Sequence, residues 1–450
     1  MHASSALFER VWARFQPVLL AVLGLLPLPA AGMLEDEVAR RSSLLVDASG
    51  TDASRAVGLV VVVVNAQATR VHGFGALRAG GTLPPDGATC FQIGSVSKAF
   101  TGLLLASLVE DPAGGVRPED PVNRHLGPDL RAPAFGTQPV TLLQLATHRG
   151  SMPDFPDNMT GPPTSPALDY SRAQLSNFLS GLVLPVPPGS TYRYSNVGLG
   201  LLGVALADAS GWGSYSALLR ERLTAPLGML DTGLNEPAFL DRLRPRLAQG
   251  YRVAGGGLAE VAVSDMGVLE GAGELLSTGD DLGRYLRVCT GLAAFPVAGA
   301  MDRALTPAAA GAPGQLVGYG IDVVALPDGR SQFEKGGVVA GYTTYVAFRR
   351  QPAAGVAVMS NRGQHQAIAT LARDLVALLD PPVLTLGRAG DGSLSAAFTA
   401  AAGQNYALQA SSNLIDWRTV AGLTNSAATN APLSFPVRRT NAMEFLRVQY

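Results

Sequence analysis

In "CFQIGSVSKAF", residues 90–100, Ser95 and Lys98 stand three positions apart where a strand pattern gives way to a helix pattern. On a helix, positions i and i+3 share a face, so a hydroxyl and an amine would lie side by side. A serine at that entry also sits where backbone N–H groups and the positive end of the helix dipole stabilise a developing oxyanion. The lysine is unusual in this chain, where only Lys98 and Lys335 are lysines among 34 basic residues. Guanidinium stays charged under ordinary conditions, whereas an amine can lose its proton if burial or a second cation lowers its pKa. Such an amine can help a serine become a nucleophile. Taken alone, S-x-x-K is short, and a serine in that place often does no more than cap the helix.

Two further phrases change that balance. "YRYSNVGLG" supplies Tyr194 and Asn196 on a turn after a Pro-rich loop, and "FEKGGVVAGYTTYVAF" puts Lys335 beside Gly336 and Gly337 at the start of a late strand. S-x-x-K, then Y-x-N, then K-x-G, in that order, is the pattern of serine acyl-transferring enzymes.

The elements that must position these residues are legible in outline. "AVGLVVVVVNAQATRVHGFGAL" reads as a β-hairpin, with Leu59 to Val64, a turn at Asn65 to Ala68 and a second strand through Val71. A helix is expected from about Ser95 to Glu110, and shorter helical patterns recur at "VTLLQLATH", "SRAQLSNFLSGL", "VGLGLLGVALADA", "SYSALLRERL" and "GDDLGRYLRVCTGL". Strand character returns in "LVGYGIDVVAL", "YTTYVAFRR" and "GVAVMSN", followed by a helix from about His365 to Leu379. Strands at both ends with helices between them predict an α+β architecture, a sheet built from distant segments around an inserted, mostly helical region. Past Asp380, "PPVLTLGRAGDGS" reads as a linker, and residues 384–450 as a separate small all-β module carrying Tyr406, Trp417 and Phe445.

Composition narrows the function. A 450-residue chain with 47% hydrophobic side chains and a net charge of −1 is globular and offers no basic stripe for nucleic acid. Arg10 and Arg14, the apolar run Val18 to Leu26 and "PLPAAG" match an export signal over residues 1–32, which predicts a periplasmic or extracellular protein without a membrane span. Cys90 and Cys289 are either a disulfide or two buried thiols. The five histidines lack zinc-ligand spacing, so no metal or cofactor is expected, and His148 in "LATHRGSM" reads as shaping a loop near the site. "GLGLLG" matches a dinucleotide fingerprint, but no strand precedes it, and packing by small residues is the better reading. Glu270 and Glu274 read as ordinary acids on a solvated loop.

With "FQIGSVSKAFTGLLLASLV", "TLLQLATHRGSMPD", "YRYSNVGLGLLG", "APLGMLDT" and "GAGELLSTGDDLGRYL", the chain resembles the class C β-lactamase and low-molecular-weight penicillin-binding protein family over roughly residues 34–380. The resemblance implies an α/β sandwich with an antiparallel sheet flanked by helices, the hydrolase domain taking residues 33–380. It implies that Ser95 is the acylated nucleophile, Lys98 its hydrogen-bonded amine and Tyr194 the general base. Asn196 would hold Lys98 and the substrate amide, Lys335 would supply positive charge, and the N–H groups of Ser95 and Val338 would form the oxyanion hole. Gly336 and Gly337 would border the substrate, with Gly337 leaving room for its approach. The family's third motif usually carries a threonine or serine where this chain has Gly336, which predicts weaker grip on a penicillin carboxylate. The implied substrate is a small molecule or peptide: a β-lactam, a D-alanyl peptide or an ester. The C-terminal module resembles those of exported bacterial proteins, which suggests association with the cell wall. The opposing hypothesis is a relative that binds cell-wall peptides without turnover.

Overall fold

A computed structural model describes residues 31–379 and the strand segments 385–388, 394–400, 405–411, 418–424, 431–437 and 445–449. The export signal expected at the N-terminus lies almost wholly outside the described residues. The chain divides into two units, residues 38–377 and a second comprising 1–37 with 378–450.

The larger unit is built on an eight-stranded antiparallel sheet. Its spatial order runs Thr69–Gly75, Gly58–Asn65, Ala353–Ser360, Tyr342–Arg350, Ser331–Val339, Asp322–Ala325, Leu316–Val317 and Ala309–Ala310. The first two strands come from the N-terminal hairpin and the other six from the last third of the unit, as the split strand pattern predicts. All of Gly58–Asn65 is buried, so both faces of the sheet are covered there. Val60, Val62 and Val64 join the main core, and by strand alternation Leu59, Val61 and Val63 are buried on the opposite face. Gly279 and Gly283 of the helix Gly279–Cys289 let it settle on the first set, a Cβ at 279 coming within 2.9 Å of Val60.

Between the two groups of strands the chain is mostly helical. Ser97–Glu110 and Asn196–Ser210 are apolar nearly all round, which is the signature of helices buried on every side. "GLGLLG" lies within the second of these, where a Cβ at Gly200 would come 2.6 Å from Leu269, so its glycines serve packing. Thr141 and Ser171 each form a capping box with the glutamine three residues on, which starts the helices Leu142–Ala146 and Arg172–Gly181 where the sequence places them.

In the second unit, Thr385–Arg388, Leu394–Ala400 and Ala431–Val437 make one three-stranded antiparallel sheet, and Arg418–Thr424, Asn405–Ser411 and Phe445–Gln449 make another. The stretch that reads as a linker in the sequence contains a strand, Thr385–Arg388, which pairs with Leu394–Ala400. Trp417 lies outside the described residues.

Candidate active site

The Ser95–Lys98 pair lies against the strand Ser331–Val339, and its local geometry differs from a simple helix start. Gly94–Val96 form a 3₁₀ turn, and the α-helix begins at Ser97 with no side-chain cap. Ser95 is therefore not a capping residue: its Oγ accepts from Lys98 Nζ at 3.0 Å and from the Tyr194 hydroxyl at 2.6 Å. Ser97 does the structural work, donating to Gly94 O at 2.7 Å and accepting from Leu275 N at 3.1 Å. In an otherwise buried run, Ser95 alone is partly exposed.

Two glycines bring the strand Ser331–Val339 against this turn. Gly94 has φ of +53°, and a Cβ there would lie 2.8 Å from Val338 N. A Cβ at Gly337 would come 2.0 Å from Ile93 O and 2.9 Å from Ser95 N. Gly337 thus makes room for the backbone of residues 93–96, a close approach that the sequence does not announce. The close approach sets the Val338 amide beside residues 94 and 95, and Val338 is exposed. Lys335 lies in the middle of its strand, not at the start.

Lys98 is fully buried and also donates to Asn196 Oδ1 at 2.6 Å and to Ala272 O at 2.5 Å. Burial lowers its pKa, and the charge of Lys335 lowers it further, against the pull of Tyr194. Ser195 caps the helix Asn196–Ser210 by accepting from Gly198 N, so Tyr194 projects just before the helix and Asn196 opens it. Burial opposes ionisation of Tyr194, but the nearby Lys98 and Lys335 outweigh it and bring its pKa below the ordinary phenol value. The two ammonium groups stand 4.9 and 5.4 Å from the centre of its ring. Lys335, 4% exposed, pairs with Asp322 at 3.4 Å; burial penalises its charge, but Asp322 and Tyr194 hold its pKa above normal.

Several participants carry no motif. Asp154 Oδ1 accepts from Asn196 Nδ2 at 2.7 Å, turning the Asn196 carbonyl toward Lys98. Asp322 and Ala272 act through position alone, and only the fold brings them to the lysines. His148 is buried and stacked on Tyr194, which fits its reading as a residue near the site. Glu270 and Glu274 are not solvated: Glu274 is buried and accepts from Asn235 N and Met266 N, and burial pushes their pKa values up to about 8 and about 7. Their setting in "VLEGAGELL", among apolar and small residues, was the available signal.

Ser95 opens onto a cleft of about 410 Å³, lined also by Tyr194, Asn196, Phe155, residues 163–167, Ser264 to Met266, Gly273, Gly336 and Val338 to Ala340. Pairing of Cys90–Gln92 with Leu276–Thr278 holds the 264–274 segment opposite the serine. Among the described residues that line it, Asp265 is the one with a formal charge. Among the described residues there is no cluster of His, Cys, Asp and Glu that could hold a metal ion.

A helical domain inserted into an antiparallel sheet, with Ser, Lys and Tyr converging on one oxygen, defines a class of protein that comparison places directly. The chain belongs to the β-lactamase family, whose model matches residues 45–380. It is 34% identical over 180 residues to the D-alanyl-D-alanine-carboxypeptidase/endopeptidase AmpH of Escherichia coli strain K12, covering 40% of this chain and 46% of that protein. It is 30% identical over 166 residues to a β-lactamase of the same strain, covering 36% and 39%, and 29% identical over 231 residues to the human putative β-lactamase-like 1, covering 50% and 42%. The matched region spans less than half the length of each of these relatives. A crystal structure of a β-lactamase/D-alanine carboxypeptidase from Yersinia pestis complexed with citrate shares the fold, with a TM-score of 0.62 at 24% identity, covering 78% of this chain and 99% of that one.

Proposed function

We propose that the chain is a serine hydrolase that cleaves amide bonds of D-alanyl peptides or β-lactams through an acyl-enzyme on Ser95. The observation that supports it best is the single oxygen, Ser95 Oγ, held by both Lys98 and Tyr194. In this reading Tyr194 takes the serine proton as Oγ attacks the carbonyl carbon. The oxyanion forms against the N–H groups of Ser95 and Val338, and losing one such donor typically costs about 10²–10³ in rate. Tyr194 then returns the proton to the leaving nitrogen, and water hydrolyses the ester to release the acid and regenerate Ser95. Lys98 supplies the nearby positive charge that favours the ionised phenol, and Lys335 adds to it. Asn196 fixes Lys98 and keeps an amide N–H for the substrate.

A second reading, an esterase on the same machinery, draws on the cleft's charge. Among the described lining residues the one formal charge is the acid Asp265, Gly336 brings no hydroxyl, and Lys335 is already paired. These features favour acyl donors without a carboxylate, so penicillins should be poorer substrates than neutral amides or esters. We further propose that residues 33–380 form the hydrolase domain and 384–450 a separate β module, and that the protein acts after export, near the cell wall.

The test is the intact mass of the protein, wild type and Ser95→Ala, at successive times after mixing with a penicillin, a D-alanyl peptide thioester and a neutral aryl ester. A wild-type adduct or turnover that vanishes in Ser95→Ala supports the assignment. Binding of peptide with neither adduct nor turnover would make the chain a non-catalytic binder.

A further inference from the structure

His148 touches the residues on both sides of Tyr194. Its carbonyl oxygen accepts from Arg193 N at 2.8 Å, and its ring Nδ1 accepts from Ser195 N at 3.1 Å. Between these two hydrogen bonds the imidazole lies against the Tyr194 ring, with centroids 4.5 Å apart and planes 29° from parallel. Tyr192 packs edge-on against the same imidazole at 5.6 Å. The backbone at His148 adopts φ of +57°, a conformation that histidine, asparagine and aspartate tolerate better than most residues.

Because Nδ1 accepts, the proton of the neutral ring sits on Nε2, which is buried and without a hydrogen-bond partner. The charged and titratable groups around the ring are Lys98, Lys335, Tyr192 and Tyr194. Burial, followed by the charges of Lys335 and Lys98, holds the imidazole in its neutral form, and a protonated Nδ1 would face the Ser195 N–H donor to donor.

We infer that His148 is a positioning residue: its Nδ1, by accepting from Ser195 N–H, together with its carbonyl on Arg193, clamps the 193–195 segment so that the Tyr194 hydroxyl meets Ser95 Oγ. The kinetic arm of the following test rests on the proposed role of Tyr194, whereas the titration arm does not.

The acceptor and the ring can be separated by substitution. In His148→Asn, Oδ1 stands the same number of bonds from the backbone as Nδ1 and the positive φ is tolerated, so the clamp is kept while the stacked ring is lost. In His148→Phe the ring is kept and the acceptor lost. The expected result is ester acylation within about threefold of wild type for His148→Asn. For His148→Phe, kcat should fall by about tenfold or more with KM within about twofold, because small misplacements at a reacting group are costly.

NMR titration of Cζ-¹³C-labelled tyrosine should show Tyr194 unmoved in His148→Asn. In His148→Phe it should titrate at higher pH, since a displaced phenol loses the lysines that lower its pKa. Melting temperatures report whether each variant folds. If His148→Phe does not fold, His148→Ala, in which water can reach the Ser195 amide, takes its place with the same expectation. Wild-type behaviour of the acceptor-less variant, or an equal loss in His148→Asn, overturns the inference. A wild type that acylates with no ester, but whose variants separate in the titration, sinks the hydrolase reading and leaves the clamp standing.

Discussion

The Tyr194 hydroxyl donates to Ser95 Oγ at 2.6 Å while its ring centre stands 4.9 Å from Lys98 Nζ and 5.4 Å from Lys335 Nζ. A phenol in that setting is both aimed at the serine and more acidic than usual, although burial alone would make it less acidic. Acylation by a neutral ester should therefore rise with pH along a limb whose midpoint lies below the ordinary tyrosine value. Replacing Lys335 with methionine removes one of the lowering charges and frees the partly exposed Asp322, and both changes raise the Tyr194 pKa. The limb should move to higher pH in Lys335→Met, as read from kcat/KM over pH 5–10. An unmoved limb would mean that Tyr194 is not the titrating base.

Tyr194→Phe keeps the ring against His148 and removes only the hydroxyl. Loss of a general base typically costs about 10²–10⁴ in rate, so acylation should fall by that factor while the melting temperature changes little. Stopped-flow acylation with an aryl ester and a thermal melt test the two halves of this statement.

The hydroxyl missing at 336 can be restored. A Cβ there would sit 3.2 Å from the Tyr345 ring, whose hydroxyl is held by Glu334 and Arg373, so serine is better accommodated than threonine. Gly336→Ser should raise benzylpenicillin acylation by roughly tenfold, about the worth of one hydrogen bond to a charged group, with little change for a neutral ester. Equal effects on both substrates would show that residue 336 does not face the carboxylate.

Glu270 has its pKa raised to about 8 by burial and by neighbouring acids, chiefly Glu274. A raised carboxyl favours folding while it is protonated, so its contribution is fully present below the unfolded value near 4.5 and is lost as pH rises through about 8. Glu270→Gln removes that loss. The variant should melt about 2 °C or more above wild type at pH 8.5, with a smaller difference at pH 5. A constant difference across this range would place Glu270 in solvent.

Cys90 and Cys289 are both free and buried, and burial raises both thiols, that of Cys289 to about 12. Neither should react with an aromatic disulfide reagent in the native protein, and both should react in denaturant.

The sequence by itself determined the order of elements and the motif residues. The alternating and continuous apolar runs, the capping boxes at Thr141 and Ser171 and the Pro- and Gly-rich breaks are local signals, and local signals survive in one dimension. The singular lysines, 98 and 335, were visible because arginine carries nearly all the other positive charge. Tertiary structure decided what stands next to what. Asp154 on Asn196, Asp322 on Lys335, Ala272 on Lys98 and His148 around Tyr194 join residues 13 to 174 positions apart, and no short motif encodes such pairs. It also decided which groups meet protein rather than water. Gly337 faces the backbone of residues 93–96 because the strand Ser331–Val339 presses on the Ser95 turn, and Glu274 is buried and Glu270 half-buried because their loop packs against the helix Asn196–Ser210. Whether a side chain meets water or protein is set by the chain segment that covers it, and that segment is chosen by the fold as a whole.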